Sequence, residues 1–177
     1  DVAVTASQKG LMSPAGISVA AISPKAWDAI ENSKLPKYYF DFRNMKKYIQ
    51  KGQTPVSTPV PIVRALNASL KLMKKEGFGK VFERHEKLAG YIREEAKKSG
   101  YVLYPDNPDI KRANSLSALL LPDKVKAEDL VNHISSNYNT LFSKGLGETA
   151  SGVLRIGHMG WFHEEDAVHI VKVLQGV

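Results

Sequence analysis

The 177-residue sequence contains no cysteine. Without cysteine the chain can form no disulfide or thiolate metal site, and it can supply no cysteine nucleophile. Long apolar runs are also lacking, since no stretch approaches the length needed to cross a bilayer. The first residues do not show the charged-then-apolar layout of a secretory signal. These absences exclude thiol chemistry by this chain, and they favour a cytoplasmic address with no membrane partner.

Acidic residues are in the minority, with Asp+Glu 18 against Lys+Arg 25 and a formal net charge of +7. Such an excess marks a nucleic-acid surface in some proteins and attracts an anionic cofactor in others. Between Lys71 and Lys98 the basic residues alternate with glutamates, which is typical of a solvated helix face. We therefore expect no nucleic-acid partner.

The chain also has no polar segment or capping residue before its first element, because Asp1-Val-Ala-Val-Thr5 is strand-like from its first residues. We expect the chain to open inside an element, as a fragment would. Residues 2–5 have the β-branched content of a short buried strand. A loop follows, marked by Pro14 and Gly16, and the apolar residues 17–22 predict a second strand.

Serine or threonine followed by proline marks two helix starts. Ser23-Pro24 predicts a helix over residues 25–32, and Thr58-Pro59 predicts another that ends at Gly77. The aromatic and basic stretch between them, residues 37–53, has no clean period and predicts irregular structure with at most one helical turn.

The Gly77 position predicts a domain boundary, with residues 1–76 on one side and 77–177 on the other. A long helix over residues 78–100 opens the second part. Short strands and helices then alternate, which predicts a small α+β domain. The predicted elements are strands at 101–104, 115–121 and 153–156, a helix at 127–135 and a last helix after Glu164.

Lys9 is the most specific chemical feature, because it follows a predicted strand and precedes Gly10, which lets the backbone approach a ligand. A lysine amine attacks carbonyl groups when it is partly desolvated beside another cation, which lowers its pKa. A solvated lysine at a strand end is nevertheless the commoner situation. The position alone therefore leaves both interpretations open.

Arg155 is the second candidate, on a predicted strand where Leu154 and Ile156 point to the opposite face. Its planar guanidinium matches a carboxylate with two parallel hydrogen bonds, which a lysine cannot copy. A strand arginine that reaches solvent is an equally good interpretation of the pattern.

Two further patterns are weak signals. The spacing of His158, His163 and His169 fits no metal motif, so we expect no metal. Lys144-Gly-Leu-Gly147 has the glycines of a phosphate loop but no helix directly after it. We interpret it as a tight turn bordering the active site.

Several segments taken together resemble one family. Ser7-Gln8-Lys9-Gly10-Leu11-Met12-Ser13-Pro14 with Gly16 is similar to the lysine motif of the class V aminotransferases, the serine–pyruvate and alanine–glyoxylate group. Three more segments occur in the family's order and at about its spacing, and the match covers nearly the whole chain. They are Ser33-Lys-Leu-Pro-Lys-Tyr-Tyr-Phe-Asp41, Gln53-Thr54-Pro55 with Thr58-Pro59, and Val153-Leu-Arg-Ile-Gly157.

The resemblance implies an α/β fold of the fold-type-I pyridoxal-phosphate transferases. Residues 1–76 would be the carboxyl-terminal part of the large cofactor-binding domain, and 77–177 the small carboxyl-terminal domain. Lys9 would carry pyridoxal 5'-phosphate as a Schiff base and shuttle a proton at the substrate α-carbon. Arg155 would hold the substrate α-carboxylate.

The resemblance also assigns the phosphate contacts. Gln8 would hydrogen-bond the cofactor phosphate, and Thr54, Ser57 or Thr58 would reach the phosphate of the other subunit in a homodimer. This loop departs from the family pattern, since the animal enzymes place a tyrosine near Thr54, so the sequence does not decide among the three hydroxyls.

The implied activity is transfer of an amino group from alanine or serine to glyoxylate or pyruvate. In the family a phosphate loop, a stacking aromatic and an aspartate all precede the lysine, and this chain contains none of them. We therefore expect activity only with an amino-terminal half. The absence of cysteine excludes cysteine desulfurase chemistry. Lyase or decarboxylase chemistry, or a non-catalytic assembly or binding module, remain the alternatives.

Overall fold

The computed structural model describes all residues from Asp1 to Val177. The chain forms two compact units, a first unit of Asp1–Leu72 and a second unit of Met73–Val177. No helix is long and apolar enough to span a bilayer.

The first unit begins with an antiparallel pair of strands, β1 (Val2–Ala6) and β2 (Ser18–Ile22). Val2 lies opposite Ile22 and Ala6 opposite Ser18, so the pair is in register along its whole length. The sequence predicted a buried strand here, and the burial was wrong, because Val4 is 68% exposed. β2 is the single partner of β1, and a two-stranded pair by itself cannot cover its own faces.

The helices of the first unit follow their capping signals. In α1 (Pro24–Asn32), the Ser23 side chain accepts a hydrogen bond from the Ala26 N–H, as the serine–proline signal predicted. In α2 (Phe42–Gln50), Asp41 caps the helix by accepting from the Arg43 N–H. The prediction of irregular structure for this stretch was therefore wrong. The Asp41 cap marks the start of this helix, and Phe42, Met45 and Ile49 recur along it at helical spacing.

Helix α3 (Val60–Glu76) follows Thr58-Pro59. It ends before Gly77, whose φ of +95° is a backbone conformation that favours glycine. The division between the two units falls in this helix, between Leu72 and Met73.

The second unit contains three helices and a four-stranded antiparallel sheet in the order β3-β4-β6-β5. The two-residue strand β5 was not predicted, because two residues are too short to show a period. The elements are α4 (Phe78–Lys98), β3 (Val102–Leu103), β4 (Leu116–Leu120), α5 (Ala127–Tyr138), β5 (Ser143–Lys144), β6 (Val153–Gly157) and α6 (Glu164–Gln175).

The apolar core lies in the second unit, where side chains of α4, α5 and α6 pack with those of the sheet. Ile92, Leu119, Leu154 and Ile156 are fully buried there. In the first unit, by contrast, the buried side chains are three serines: Ser7, Ser13 and Ser69.

Candidate active site

The chain turns sharply after β1, and this turn carries Lys9. The Lys9 N–H donates to the Ala6 carbonyl at 3.4 Å, and the Met12 N–H donates to the Lys9 carbonyl at 3.0 Å. Met12 has a positive φ of 54°, which is uncommon for a residue with a side chain and marks a tightly constrained loop. The Lys9 side chain is exposed and makes no hydrogen bond or ion pair in the chain. Its amine is therefore free on a fixed backbone.

Ser7 fixes the two ends of this loop to each other. Its backbone N–H donates to the Ile17 carbonyl at 2.9 Å, and its carbonyl accepts from the Ser13 N–H at 2.9 Å. Its hydroxyl donates to the Pro14 carbonyl at 2.7 Å and accepts from the Ile17 N–H at 3.3 Å. A fully buried serine thus uses all its polar groups to close the loop around Lys9.

Helix α3 holds the same loop at two further places. The Ser69 hydroxyl donates a hydrogen bond to the Leu11 carbonyl. Gly16, at φ +136°, lies against Ile62, and a Cβ built there would come within 2.4 Å of the Ile62 Cδ1. Ser69 and Ile62 are seven residues apart and so share one face of α3. The Ser13 hydroxyl is buried in the loop without a hydrogen-bond partner.

Gln8 is exposed on the same turn as Lys9, and Thr54, Ser57 and Thr58 are exposed on the loop before α3. The Thr54 hydroxyl donates to the Val56 carbonyl at 2.6 Å and lies 2.8 Å from the Thr58 hydroxyl. The Ser57 side chain makes no hydrogen bond in the chain. It is the one hydroxyl of the three that can donate to a phosphate without breaking an internal bond.

Arg155 lies at the middle of β6, opposite Ala118 of β4 and Ser143 of β5. Its Nε donates to the Lys144 carbonyl at 2.8 Å. Its terminal nitrogens Nη1 and Nη2 make no hydrogen bond or ion pair in the chain. Leu154 and Ile156 are fully buried on the other face of the sheet, as the alternation predicted. The guanidinium is therefore anchored through Nε, and its Nη edge is free to bind a carboxylate.

A buried polar chain lies on the face of the sheet opposite Arg155. Arg93 of α4 donates through Nε to the Ser117 hydroxyl at 3.0 Å, and this hydroxyl lies 2.8 Å from His158 Nε2. Burial, and after it the charge of Arg93, lowers the pKa of His158 to about 4. His158 Nδ1 is buried without a partner. The ring is therefore neutral near pH 7.

Helix α4 also fixes the loop that follows β6. Arg84 binds Glu76 with two hydrogen bonds, from Nε at 2.7 Å and Nη2 at 3.0 Å, and its Nη1 donates to the carbonyls of Gly160 and Phe162. His85 Nε2 accepts from the Gly160 N–H at 3.1 Å. Sequence reasoning found neither this cluster nor the chain through His158. Their members come from distant segments, and charged residues of α4 give no sign of the loop that they bind.

The other two candidate histidines have separate partners. His163 packs edge-on against Trp161 with ring centroids 4.7 Å apart, and His169 Nε2 lies 2.7 Å from the Thr140 hydroxyl. No three of the histidine, aspartate and glutamate side chains come together as metal ligands. The segment of residues 144–147 forms the end of β5 and a turn into a short 3-10 helix, Gly147–Thr149.

The α/β fold of the chain is that of the fold-type-I pyridoxal-phosphate transferases. Among solved structures, pyridoxamine–pyruvate aminotransferase from Mesorhizobium loti superposes with a TM-score of 0.88 at 25% identity. That superposition covers 99% of this chain and 46% of the other.

Within that fold class, the chain belongs to the class-V aminotransferase family, whose model matches residues 1–166. It is 38% identical over 160 residues to L-aspartate–glyoxylate aminotransferase of Paracoccus denitrificans, which covers 90% of this chain and 40% of that protein. It is 34% identical over 169 residues to serine–glyoxylate aminotransferase of Methylorubrum extorquens, which covers 93% of this chain and 42% of that protein. The chain thus spans less than half the length of these relatives.

Proposed function

We propose that this chain is the carboxyl-terminal half of a pyridoxal-phosphate aminotransferase, and that Lys9 is the residue that carries the cofactor. The observation that carries the proposal is the Lys9 turn. A free amine projects from a backbone held by buried serines, within a chain of the class-V family. When bound, the cofactor supplies a carbonyl carbon for the amine and an electron-withdrawing ring.

The residues present fit such a cofactor. The Lys9 Nζ makes no bond that would have to break before it reacts, and Gln8 is exposed beside it to donate to a phosphate. Lys9 would then hold and move the proton at the substrate α-carbon. Ser57, with Thr54 and Thr58 beside it, would donate to the phosphate bound by the other subunit of a homodimer.

Arg155 would bind the α-carboxylate of the amino acid through its free Nη edge. Ala118 and Ser143, its neighbours across the sheet, are small and uncharged, so they add no second cation. A dicarboxylic donor needs a second cation for its side-chain carboxylate, whereas alanine or serine needs only the one cation that binds its α-carboxylate. We therefore propose alanine or serine as the donor, although the Paracoccus relative is named for aspartate. Initial rates with alanine, serine and aspartate at equal concentration test this choice.

The acceptor would be a 2-oxo acid, glyoxylate or pyruvate. Both relatives named above carry glyoxylate in their names, which supports glyoxylate. The side chains of β1 and β2 are mostly exposed, and the first unit buries no apolar side chain. A unit of this kind needs further polypeptide to cover its apolar side chains, which supports an amino-terminal half as the partner. That polypeptide would also desolvate Lys9, which the chemistry requires.

Reduction with borohydride tests the cofactor assignment in the complete protein. The protein is incubated with pyridoxal phosphate, reduced and digested, and the phosphopyridoxyl mass is mapped by mass spectrometry. We expect the label on Lys9, its loss in Lys9→Arg, and its retention in the control Lys25→Arg. A label on Lys25 or Lys34 in the unchanged protein would contradict the assignment.

A further inference from the structure

One peptide group, between Lys144 and Gly145, is bound to β6 on both sides. Its carbonyl oxygen accepts from Arg155 Nε at 2.8 Å, and its N–H, that of Gly145, donates to the Val153 carbonyl at 2.8 Å. Because a peptide unit is planar, any rotation of it moves both hydrogen bonds together. The direction in which Arg155 presents its Nη edge therefore depends on this peptide group.

The turn after the peptide group has no room to relax around Gly145. A Cβ built on Gly145 would lie 2.1 Å from the Thr149 carbonyl oxygen and 2.6 Å from its carbonyl carbon. These are backbone atoms, so any side chain at this position has to open the turn. The Thr149 hydroxyl closes the turn further, because it accepts from the Leu146 N–H at 3.1 Å and donates to the Leu146 carbonyl at 2.9 Å.

We infer that Gly145 and Thr149 are positioning residues for the carboxylate site, which act by holding the Lys144 carbonyl that orients Arg155. The inference rests on the proposed function, because it takes Arg155 as the ligand of the substrate carboxylate. Neither residue has to touch the substrate. A guanidinium that has lost its Nε acceptor samples many directions, and the substrate then has to order it on binding.

The first test is Gly145→Ala in the complete protein, compared with Gly152→Ala. Gly152 is the matched control, since a Cβ there meets no atom within 4 Å. Gly145→Ala is expected to raise KM for the amino donor about tenfold with kcat changed less than about twofold, as expected when substrate binding is weakened uniformly. Gly152→Ala should leave both constants unchanged. With a simple amine that has no carboxylate, both variants should react at the rate of the unchanged protein.

The second test covers the possibility that Gly145→Ala does not fold. Thr149→Val keeps the side-chain shape but removes both hydroxyl bonds, whereas Thr149→Ser keeps the hydroxyl. Thr149→Val should raise KM for the amino donor, and Thr149→Ser should restore the original value. Equal constants for the valine variant and the unchanged protein would overturn the role of Thr149.

The Arg155 Nε–H gives a readout that does not depend on activity. In arginine-labelled protein its NMR signal is assigned through its loss in Arg155→Lys. Its hydrogen exchange should accelerate by at least about tenfold in Gly145→Ala, because the protecting bond to Lys144 is broken. Unchanged exchange would overturn the inference whatever the activity does. If the exchange accelerated but catalytic efficiency fell equally with the amino acid and with the simple amine, Arg155 would not be the carboxylate ligand. The role proposed for Arg155 and the positioning role of Gly145 and Thr149 would then both fail.

Discussion

At the scale of single residues, hydrogen bonds to backbone atoms orient the groups proposed to react. Ser7 closes the Lys9 turn with its hydroxyl and both backbone groups, and the Lys144 carbonyl orients Arg155 through Nε. Ser7 is fully buried, and a buried polar group that loses its hydrogen-bond partner pays its full desolvation cost, so the Ser7 contacts define one geometry for the turn. Lys9 Nζ and the Arg155 nitrogens Nη1 and Nη2 have no hydrogen-bond or ion-pair partner in the chain, so they are available for the roles proposed for them.

The first prediction at this scale concerns Arg155→Lys in the complete enzyme. Lysine keeps the charge but loses the two-pronged geometry, and a lost charge-assisted hydrogen bond costs roughly 1.5 to 3 kcal/mol. Catalytic efficiency with the amino donor should therefore fall about ten- to a hundredfold, as measured by steady-state kinetics. Cofactor binding and the slow reaction of a simple amine should hardly change. Proportional loss with both substrates would make Arg155 a structural residue.

The second prediction concerns His158, whose folded-state pKa of about 4 lies below its ordinary value. Between pH 6.5 and this value the unfolded chain takes up a proton that the folded chain does not. The free energy of unfolding therefore falls as the pH falls through this window, by about 2 kcal/mol between pH 7 and pH 5.

Urea unfolding at pH 7 and pH 5 measures this effect. His158→Gln removes the titrating ring, so its loss of stability over the same interval should be smaller than that of the unchanged protein. His169→Gln, at an exposed position, is the control and should behave like the unchanged protein. If all three proteins lost the same free energy of unfolding between pH 7 and pH 5, His158 would not be the source of the pH dependence.

At the scale of elements, α4 holds the loop after β6. Arg84 contacts both Glu76 and the loop carbonyls, and His85 binds the Gly160 N–H. The hydrogen bond from Arg84 lowers the pKa of Glu76 below its ordinary value. This pair is only 16% and 25% exposed, so solvent screens it less than the surface pairs of the same helix. The loop therefore depends on α4 for its conformation.

Arg84→Lys should therefore be destabilising, because lysine cannot bind Glu76 and the loop carbonyls at once. We expect a loss of roughly 1.5 to 3 kcal/mol in the free energy of unfolding, measured with urea. Arg64→Lys is the matched control, since Arg64 is exposed on α3 and makes no hydrogen bond or ion pair in the chain. A similar small effect of both substitutions would show that the loop holds its conformation without Arg84.

At the scale of the whole molecule, the two units differ in what stabilises them. The second unit has a continuous apolar core that joins three helices to a sheet. The first unit buries three serines and no apolar side chain, and its large exposed residues include Leu35, Tyr38 and Phe40. Apolar burial is the main source of folding free energy. The first unit is therefore the part that gains most from additional polypeptide.

The 177-residue chain by itself should accordingly bind pyridoxal phosphate weakly and show no measurable transamination. The family resemblance places the phosphate loop, the stacking aromatic and the aspartate before the lysine, outside this chain. A coupled assay for the oxo-acid product measures the activity, which should appear when an amino-terminal half is added. Robust turnover by the chain, verified free of other polypeptides, would refute this prediction.

The sequence by itself determined what depends on neighbouring residues. Serine before proline marked the start of α1, alternation placed Arg155 opposite Leu154, and the motif around Lys9 indicated the family. Helix α2 was missed although Asp41 caps it and Phe42, Met45 and Ile49 recur at helical spacing, because residues 37–53 read as one stretch have non-helical ends that hide this period. The two-residue strand β5 was missed because it is too short to show any pattern.

Only the tertiary structure decided which distant groups meet. Ser69 reaches the Lys9 loop across 58 residues, Arg84 reaches Phe162 across 78, and Ser117 reaches His158 across 41. The exposure of β1 was decided in the same way, since a β-branched strand is buried only where another layer covers it. Hydrogen-bond partners and burial are properties of the packed chain, and a local pattern of side chains does not contain them.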